Sequence, residues 1–259
     1  MFGAIVGDVI GSYYEFYNCK SYDFQLFNEK SRFTDDTVLS FAVADAFMNK
    51  KDYATTLKEY AKKHPLAGFG GSFVCWVDGE SMLPYNSWGN GSAMRVSSIG
   101  WLCDSLDGVL TEAKKTAEVT HNHSEGIKGA QAIATCIFMA RTGKTKEEIK
   151  EFVVKTFGYD LNRTLDQIRP DYKFHVSCQK SVPEAIIAFL ESTDFEDCIR
   201  KAISIGGDSD TIAAMAGGIA EAYYQSIPED IVKKVFGIIT KNTEFLPILM
   251  QFQETIKKL

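Results

Sequence analysis

Phe33-Thr34-Asp35-Asp36-Thr37-Val38-Leu39-Ser40-Phe41-Ala42-Val43-Ala44-Asp45-Ala46-Phe47 combines two signals in one stretch. Val38, Leu39, Phe41, Ala42, Val43, Ala46 and Phe47 recur at three-to-four spacing, the period of a helix with a buried face. Immediately ahead stand two carboxylates and two threonine hydroxyls. The arrangement returns late in the chain, where Gly206-Gly207-Asp208-Ser209-Asp210-Thr211 opens a second apolar helical run. Asp and Thr are favoured helix N-caps, and acids suit the positive helix end. A cap needs one side-chain acceptor, however, whereas each motif offers two acids and a hydroxyl. Gly206-Gly207 also lets the backbone turn tightly beside a ligand. Crowded carboxylates repel unless a cation neutralises them. Oxygen-only donors suit a hard divalent cation such as Mg²⁺ or Mn²⁺. Brought together, the two motifs would make a two-metal site of four carboxylates.

Helical signals run along the rest of the chain. Residues 53–63 read as a short amphipathic helix, and 92–104 and 108–120 as two more. Ser124 to Ala140 is small-residue-rich and apolar on several sides, which predicts a central helix buried all round. Thr145-Lys-Glu-Glu resembles a capping box opening 146–157. Ser181-Val-Pro-Glu starts a helix with Pro183 in its first turn. Asp194 caps 195–204, Asp210 opens 211–225, Pro228 opens 229–237, and 243–258 closes the chain. No alternating run with a hairpin turn occurs. The expectation is an all-α fold, one domain over 1–259, with two long connections at 64–91 and 158–180. Loops of that length in a compact domain bind or cover something.

The 259 residues fit one large domain that buries its core without staples. A net charge of −6 argues against nucleic-acid binding, which needs a basic face. Six cysteines show no CxxC pair and sit mostly in apolar stretches, as buried thiols in a reducing cytoplasm do. No apolar run approaches a membrane span, and Met1 leads almost at once into patterned sequence.

Three further segments carry polar chemistry. Gly3, Gly7 and Gly11 fall at four-residue intervals and give a smooth face for close helix packing. Asp8 and Glu15 are seven apart, hence on one helical face. Asp8 reads as a buried hydrogen-bonding partner, and Glu15, at the end of the helix, as a group that can reach a metal-bound water. Gly89-Asn90-Gly91-Ser92-Ala93-Met94-Arg95 offers free backbone N–H groups, a helix start and a hydroxyl, the makings of an anion cradle. Arg95 could pair with a phosphate or with a buried acid such as Asp8. His121 and His123 lack the further ligands that zinc requires. A histidine donating to a sugar hydroxyl or a phosphate fits better.

Taken together, Gly7-Asp-Val-Ile-Gly11 with Glu15, Phe33–Val38, Gly89–Arg95, Thr120-His121 and Gly206–Thr211 resemble the ADP-ribosylglycohydrolase family. That group includes dinitrogenase reductase-activating glycohydrolase and hydrolases of ADP-ribosylarginine and ADP-ribosylserine. The segments occur in the family's order and span residue 3 to about 224. The resemblance implies an orthogonal multi-helix domain with a binuclear Mg²⁺ or Mn²⁺ cleft. By position, Thr34, Asp35 and Asp36 match one set of metal ligands. Asp208, Asp210 and Thr211 match the other, with one of its aspartates bridging. Glu15 falls at a catalytic or gating glutamate. Gly89, Asn90, Gly91, Ser92 and Met94 match the diphosphate-binding segment, and His121 a ligand contact. Ser98 replaces a frequent proline, and Glu221 interrupts an Ala/Gly run; both leave the metal ligands intact.

The implied reaction is hydrolysis at C1 of the distal ribose of an ADP-ribosylated protein or small molecule, through an oxocarbenium-like transition state. Asp35, Asp36 or Glu15 would take the water's proton. Tyr85 or Trp88 would stack on adenine. A cytoplasmic monomer or weak homo-oligomer is expected. The alternative is a two-metal phosphohydrolase. A non-catalytic relative would have lost metal ligands, and all six are present here.

Overall fold

The computed structural model describes residues 1–258. Among these lie fifteen helices: α1 Phe2–Tyr14, α2 Asp35–Met48, α3 Tyr53–Lys63, α4 Gly71–Asp78, α5 Gly91–Met94, α6 Ser97–Leu102, α7 Leu106–Glu118, α8 Ser124–Arg141, α9 Lys146–Phe157, α10 Leu165–Ile168, α11 Cys178–Glu191, α12 Phe195–Ser204, α13 Ser209–Tyr224, α14 Glu229–Ile239 and α15 Phe245–Ile256. The only extended pairing among the described residues is an isolated antiparallel bridge between Gly89 and Ser177. The fold is all-α, as the periodicity predicts.

Local chemistry sets many boundaries. Asp52, Ser105 and Asp194 each accept a backbone N–H of the first turn of α3, α7 and α12. Thr145 and Glu148 form the expected capping box, and α9 ends on Gly158 in the left-handed region at φ 69°. Helix α8 exposes no residue between Gly126 and Ala140, so it is the buried central helix foreseen from its composition. A second helix, α13, is equally enclosed, packing against α1, α8, α11 and α12.

The structure differs from the sequence reading in three places. The helix expected at 92–104 is two short ones, α5 and α6, broken at Arg95-Val96. The break lets Arg95 reach polar partners at the end of α7, while Gly100 abuts α8, where a Cβ would meet Ala134 O at 2.6 Å. Helix α11 starts at Cys178, which puts Pro183 beyond its first turn. That earlier start is pinned by tertiary contact: the Cys178 N–H donates to Trp88 O at 3.1 Å. The long connections contain α4 and α10, and both still supply walls of the cleft described below.

The closest helix contact joins α1 and α13, antiparallel. A Cβ on Gly3 would lie 2.3 Å from Gly217 O, one on Gly7 2.0 Å from Ala213 O, and one on Gly11 2.5 Å from Asp210 Cα. The four-residue glycine spacing thus becomes a flat face against another backbone. Glu221 accepts the Gly3 N–H at 2.9 Å, so the acid that breaks the small-residue run of α13 serves the start of α1.

Gly7→Ala is expected to destabilise the protein by at least about 3 kcal/mol in urea unfolding, because backbone cannot yield to the new methyl. Gly237→Ala, on the exposed face of α14 with nothing within 4 Å of the added methyl, is expected to stabilise it by about 0.5–1 kcal/mol. Equal effects of the two changes would refute the packing account.

Candidate active site

The α1–α13 contact places the N-terminus of α13 beside the C-terminal half of α1. Two left-handed residues, Gly206 (φ 73°) and Gly207 (φ 74°), make the turn into α13. A Cβ at Gly206 would strike Asn18 Oδ1 at 2.3 Å, and one at Gly207 would strike Tyr172 Cε1 at 2.7 Å. Asp208 occupies the N-cap of α13, yet its side chain accepts no first-turn N–H. It accepts the Asn90 amide at 2.6 Å instead. The simple capping explanation therefore fails for Asp208.

At α2 the cap is Thr34, whose Oγ1 accepts the Asp36 N–H at 3.4 Å. Asp8, from α1, holds this turn. It accepts hydrogen bonds from Thr34 N–H (2.9 Å), Thr34 Oγ1 (2.7 Å), Thr37 N–H (3.1 Å) and Thr37 Oγ1 (2.5 Å). Asp8 is the buried hydrogen-bonding partner the sequence reading expected. With capping and bracing done by Thr34 and Asp8, Asp35 and Asp36 are free for other work. Asp36 Oδ1 is buried with no hydrogen-bond partner.

The two motifs meet. Thr211 Oγ1 donates to Asp36 Oδ2 at 3.3 Å across a sequence separation of 175 residues. Carboxylate oxygens of Asp8, Asp36 and Asp210 lie within 4.8 Å of one another, and so do those of Glu15, Asp208 and Asp210. Asp210 belongs to both sets. Asp35 stands on the open side of the cluster, near Gly68.

So much acid in so little water is unfavourable unless neutralised. Burial, then the charges of neighbouring aspartates, pushes Asp36 and Asp210 far above the usual carboxylate range. Asp35 is pushed up to about 8 by burial and then by Asp8 and Asp208. Glu15 is pushed up to about 7 by burial and the Asp208 charge. Protons or cations must supply the missing positive charge. The all-oxygen donor set and the orphaned Asp36 oxygen fit a hard divalent ion.

These acids line a cleft of about 420 Å³. Gly89, Asn90, Gly91, Met94, His121 and Tyr85 also line it. Asn90 N–H donates to Val176 O at 2.7 Å, so the glycine segment is tied to the strand-like stretch before α11. Ser92 faces away from the cleft: its hydroxyl donates to Gly126 O at 2.7 Å. Helix α5, four residues long, gives no extended dipole, and the segment offers backbone rather than a helix end. Trp88 is half-exposed and off the cleft wall, whereas Tyr85 is on it. Arg95 is fully buried and does not reach Asp8. The sequence reading passed over Arg32, Gly68 and Phe174, which also line the cleft; isolated loop residues carry no spacing signal that could have marked them.

A helical body that gathers acids from both ends of the chain into one cleft with a glycine segment suits a hydrolase. A profile described as ADP-ribosylglycohydrolase matches residues 1–255. Human ADP-ribosylhydrolase ARH3 is 26% identical, over 88% of this chain and 85% of its own length. The ADP-ribosylarginine hydrolase Tri1 of Pseudomonas putida (strain GB-1) is 27% identical, over 78% of this chain and 62% of its own. A solved structure titled "ADP-ribosylglycohydrolase-related protein complex" superposes with a TM-score of 0.73 at 18% identity, covering 98% of this chain and 95% of that one. The chain belongs to the ADP-ribosylglycohydrolase family, and it is a glycohydrolase.

Raised carboxyl pKa values mean that the folded state holds protons which the unfolded state releases. The stability they contribute is fully present below about pH 4 and is lost as pH rises through about 7 and 8 for Glu15 and Asp35. With a chelator present, denaturation midpoints should fall steadily over that window. Added Mg²⁺ should restore the midpoint at pH 8, and calorimetry should detect proton release on binding. A flat chelator curve would contradict the electrostatic account.

Proposed function

We propose that this chain, working as one domain over residues 1–259, hydrolyses the bond between C1 of the distal ribose of an ADP-ribose conjugate and its attached group, releasing ADP-ribose. The observation that carries the reading is Asp210, shared by two clusters of carboxylate oxygens that converge from the two ends of the chain. Thr34, Asp35 and Asp36 would hold one Mg²⁺ or Mn²⁺ ion, and Asp208, Asp210 and Thr211 the other. When bound, such ions stabilise developing negative charge and lower the pKa of water.

The protein's own groups do the rest. Asp8 keeps the Thr34–Thr37 turn in place, and Asn90 holds Asp208. Glu15 and Asp35 stand on the open side of the acids, where either carboxylate can accept the proton of the attacking water. The Gly89–Gly91 backbone and His121 form the wall that receives the diphosphate, and Tyr85 stacks on adenine. The conjugate is an ADP-ribosylated side chain or a small molecule. The names of the relatives support the ADP-ribose half, and Tri1 is named for the arginine linkage. Six free thiols support a reducing cytoplasm as the site of action.

Asp36→Asn and Asp210→Asn should each lower kcat by at least about a hundredfold, since loss of a charge-stabilising group costs several kcal/mol in the transition state. Both should stay folded by circular dichroism, because each removes buried charge. Glu15→Gln should lower kcat by about 10²-fold or more while ADP-ribose still binds. The assay is Mg²⁺-dependent release of ADP-ribose from arginine- and serine-linked peptides and from O-acyl conjugates. AMP or phosphate as the product would instead support a phosphohydrolase.

A further inference from the structure

Arg95 is fully buried and has no carboxylate within ion-pair distance among the described residues. Its Nη2 donates to Thr116 O at 2.7 Å and to Thr120 Oγ1 at 2.8 Å. Thr120, also fully buried, places the same Oγ1 2.7 Å from His121 Nδ1. A guanidinium only donates, so Thr120 Oγ1 is the acceptor in the first of these contacts. The threonine has one proton to give, and the remaining contact of its oxygen is His121 Nδ1. Were Nδ1 to carry a proton, that threonine proton would be left buried without an acceptor, the costlier arrangement. Nδ1 is therefore the acceptor, and the ring proton sits on Nε2. Nε2 faces the glycine segment: a Cβ on Gly91 would come within 3.1 Å of it, and one on Gly89 within 3.5 Å. His121 also lines the cleft.

We propose that Arg95 and Thr120 are positioning residues that fix His121 as the Nε2–H tautomer, a standing neutral donor to the oxygens of a ligand lying over Gly89–Gly91. Burial and the Arg95 charge both disfavour the imidazolium, in keeping with this arrangement. In this relay Arg95 Nη2 orients the hydroxyl, while its Nε and Nη1 are buried with no hydrogen-bond partner. The relay explains why Thr120 and His121 are adjacent in sequence, since the hydroxyl must reach the neighbouring ring. The identity of the ligand rests on the ADP-ribose reading above, whereas the tautomer does not depend on it.

The test has a spectroscopic and a binding readout. Two-bond nitrogen–proton spectra of ¹⁵N-labelled protein report which imidazole nitrogen is unprotonated. The chain has four histidines, so a His121→Asn sample assigns the signal. Wild type is expected to show Nδ1 unprotonated and Nε2 protonated. Thr120→Val keeps the side-chain shape but removes the hydroxyl that donates to Nδ1, so the single Nε2–H tautomer should give way to a mixture of the two. The Kd for free ADP-ribose should then weaken about tenfold, the loss of one oriented hydrogen bond, with Mg²⁺ affinity unchanged. Thr120→Ser should restore both readouts. An Nδ1–H ring or an imidazolium in wild type would overturn the proposal, as would a Thr120→Val protein with unchanged tautomer and affinity. A tautomer that shifts as described in a protein that binds no ADP-ribose would uphold the relay and refute the functional reading.

Discussion

Helices α1 and α13 touch backbone to backbone, and the geometry of the acidic cleft follows from that contact. Gly3, Gly7 and Gly11 lie against Gly217, Ala213 and Asp210 with no room for a methyl. Ordinary side chains would hold the two axes apart by the 8–10 Å typical of packed helices or more. Here the absence of side chains brings Asp8 and Glu15 of the N-terminal segment within reach of Asp208 and Asp210. The acids are thus gathered by van der Waals packing of small residues, not by any attraction of their own, which is repulsive.

That repulsion shapes the neighbourhood. The acids of the cleft are not held by a uniform set of caps. Thr34 takes over the helix cap, Asp8 braces the turn, and the Asn90 amide holds Asp208. Asp36 keeps one buried oxygen with no protein partner. The result is a pocket in which the fold itself opposes full ionisation and which a bound cation would relieve. Stability and metal affinity are therefore linked in sign: the burial that destabilises the charged, metal-free site is what makes a hard cation welcome there.

The glycine segment follows different physics. It contributes backbone, held by the two-way pairing of Trp88–Asn90 with Val176–Cys178. Beneath it the polarity reverses, with buried Arg95 reaching the carbonyl of Thr116 near the end of α7 and the Thr120 hydroxyl. Carboxylates and the glycine segment thus line one cleft and meet where the Asn90 amide reaches Asp208.

Much of this was legible in the one-dimensional chain. The all-α class, the central helix at Ser124–Ala140, the capping box at Thr145, the smooth face of α1 and the two acidic motifs are local signals, written in periodicity of 3.6 and in caps a few residues long. That Asp8 is a buried hydrogen-bonding partner was also readable, but not that its partners are Thr34 and Thr37. Other features had no such signal. The break at Arg95-Val96 and the early start of α11 are imposed by partners 21 or more residues away, Thr116 for the guanidinium and Trp88 for Cys178. The link between Thr211 and Asp36, the engagement of Ser92 with Gly126 and the contact of Asn90 with Asp208 likewise depend on long-range packing. Residue order alone determined most of the helices and where the acidic motifs fall, because those preferences act over one or two turns. Only the folded arrangement decided which acids share a cation-sized space and which hydroxyls are already engaged, because hydrogen bonds and charge repulsion depend on distances that chain order does not encode.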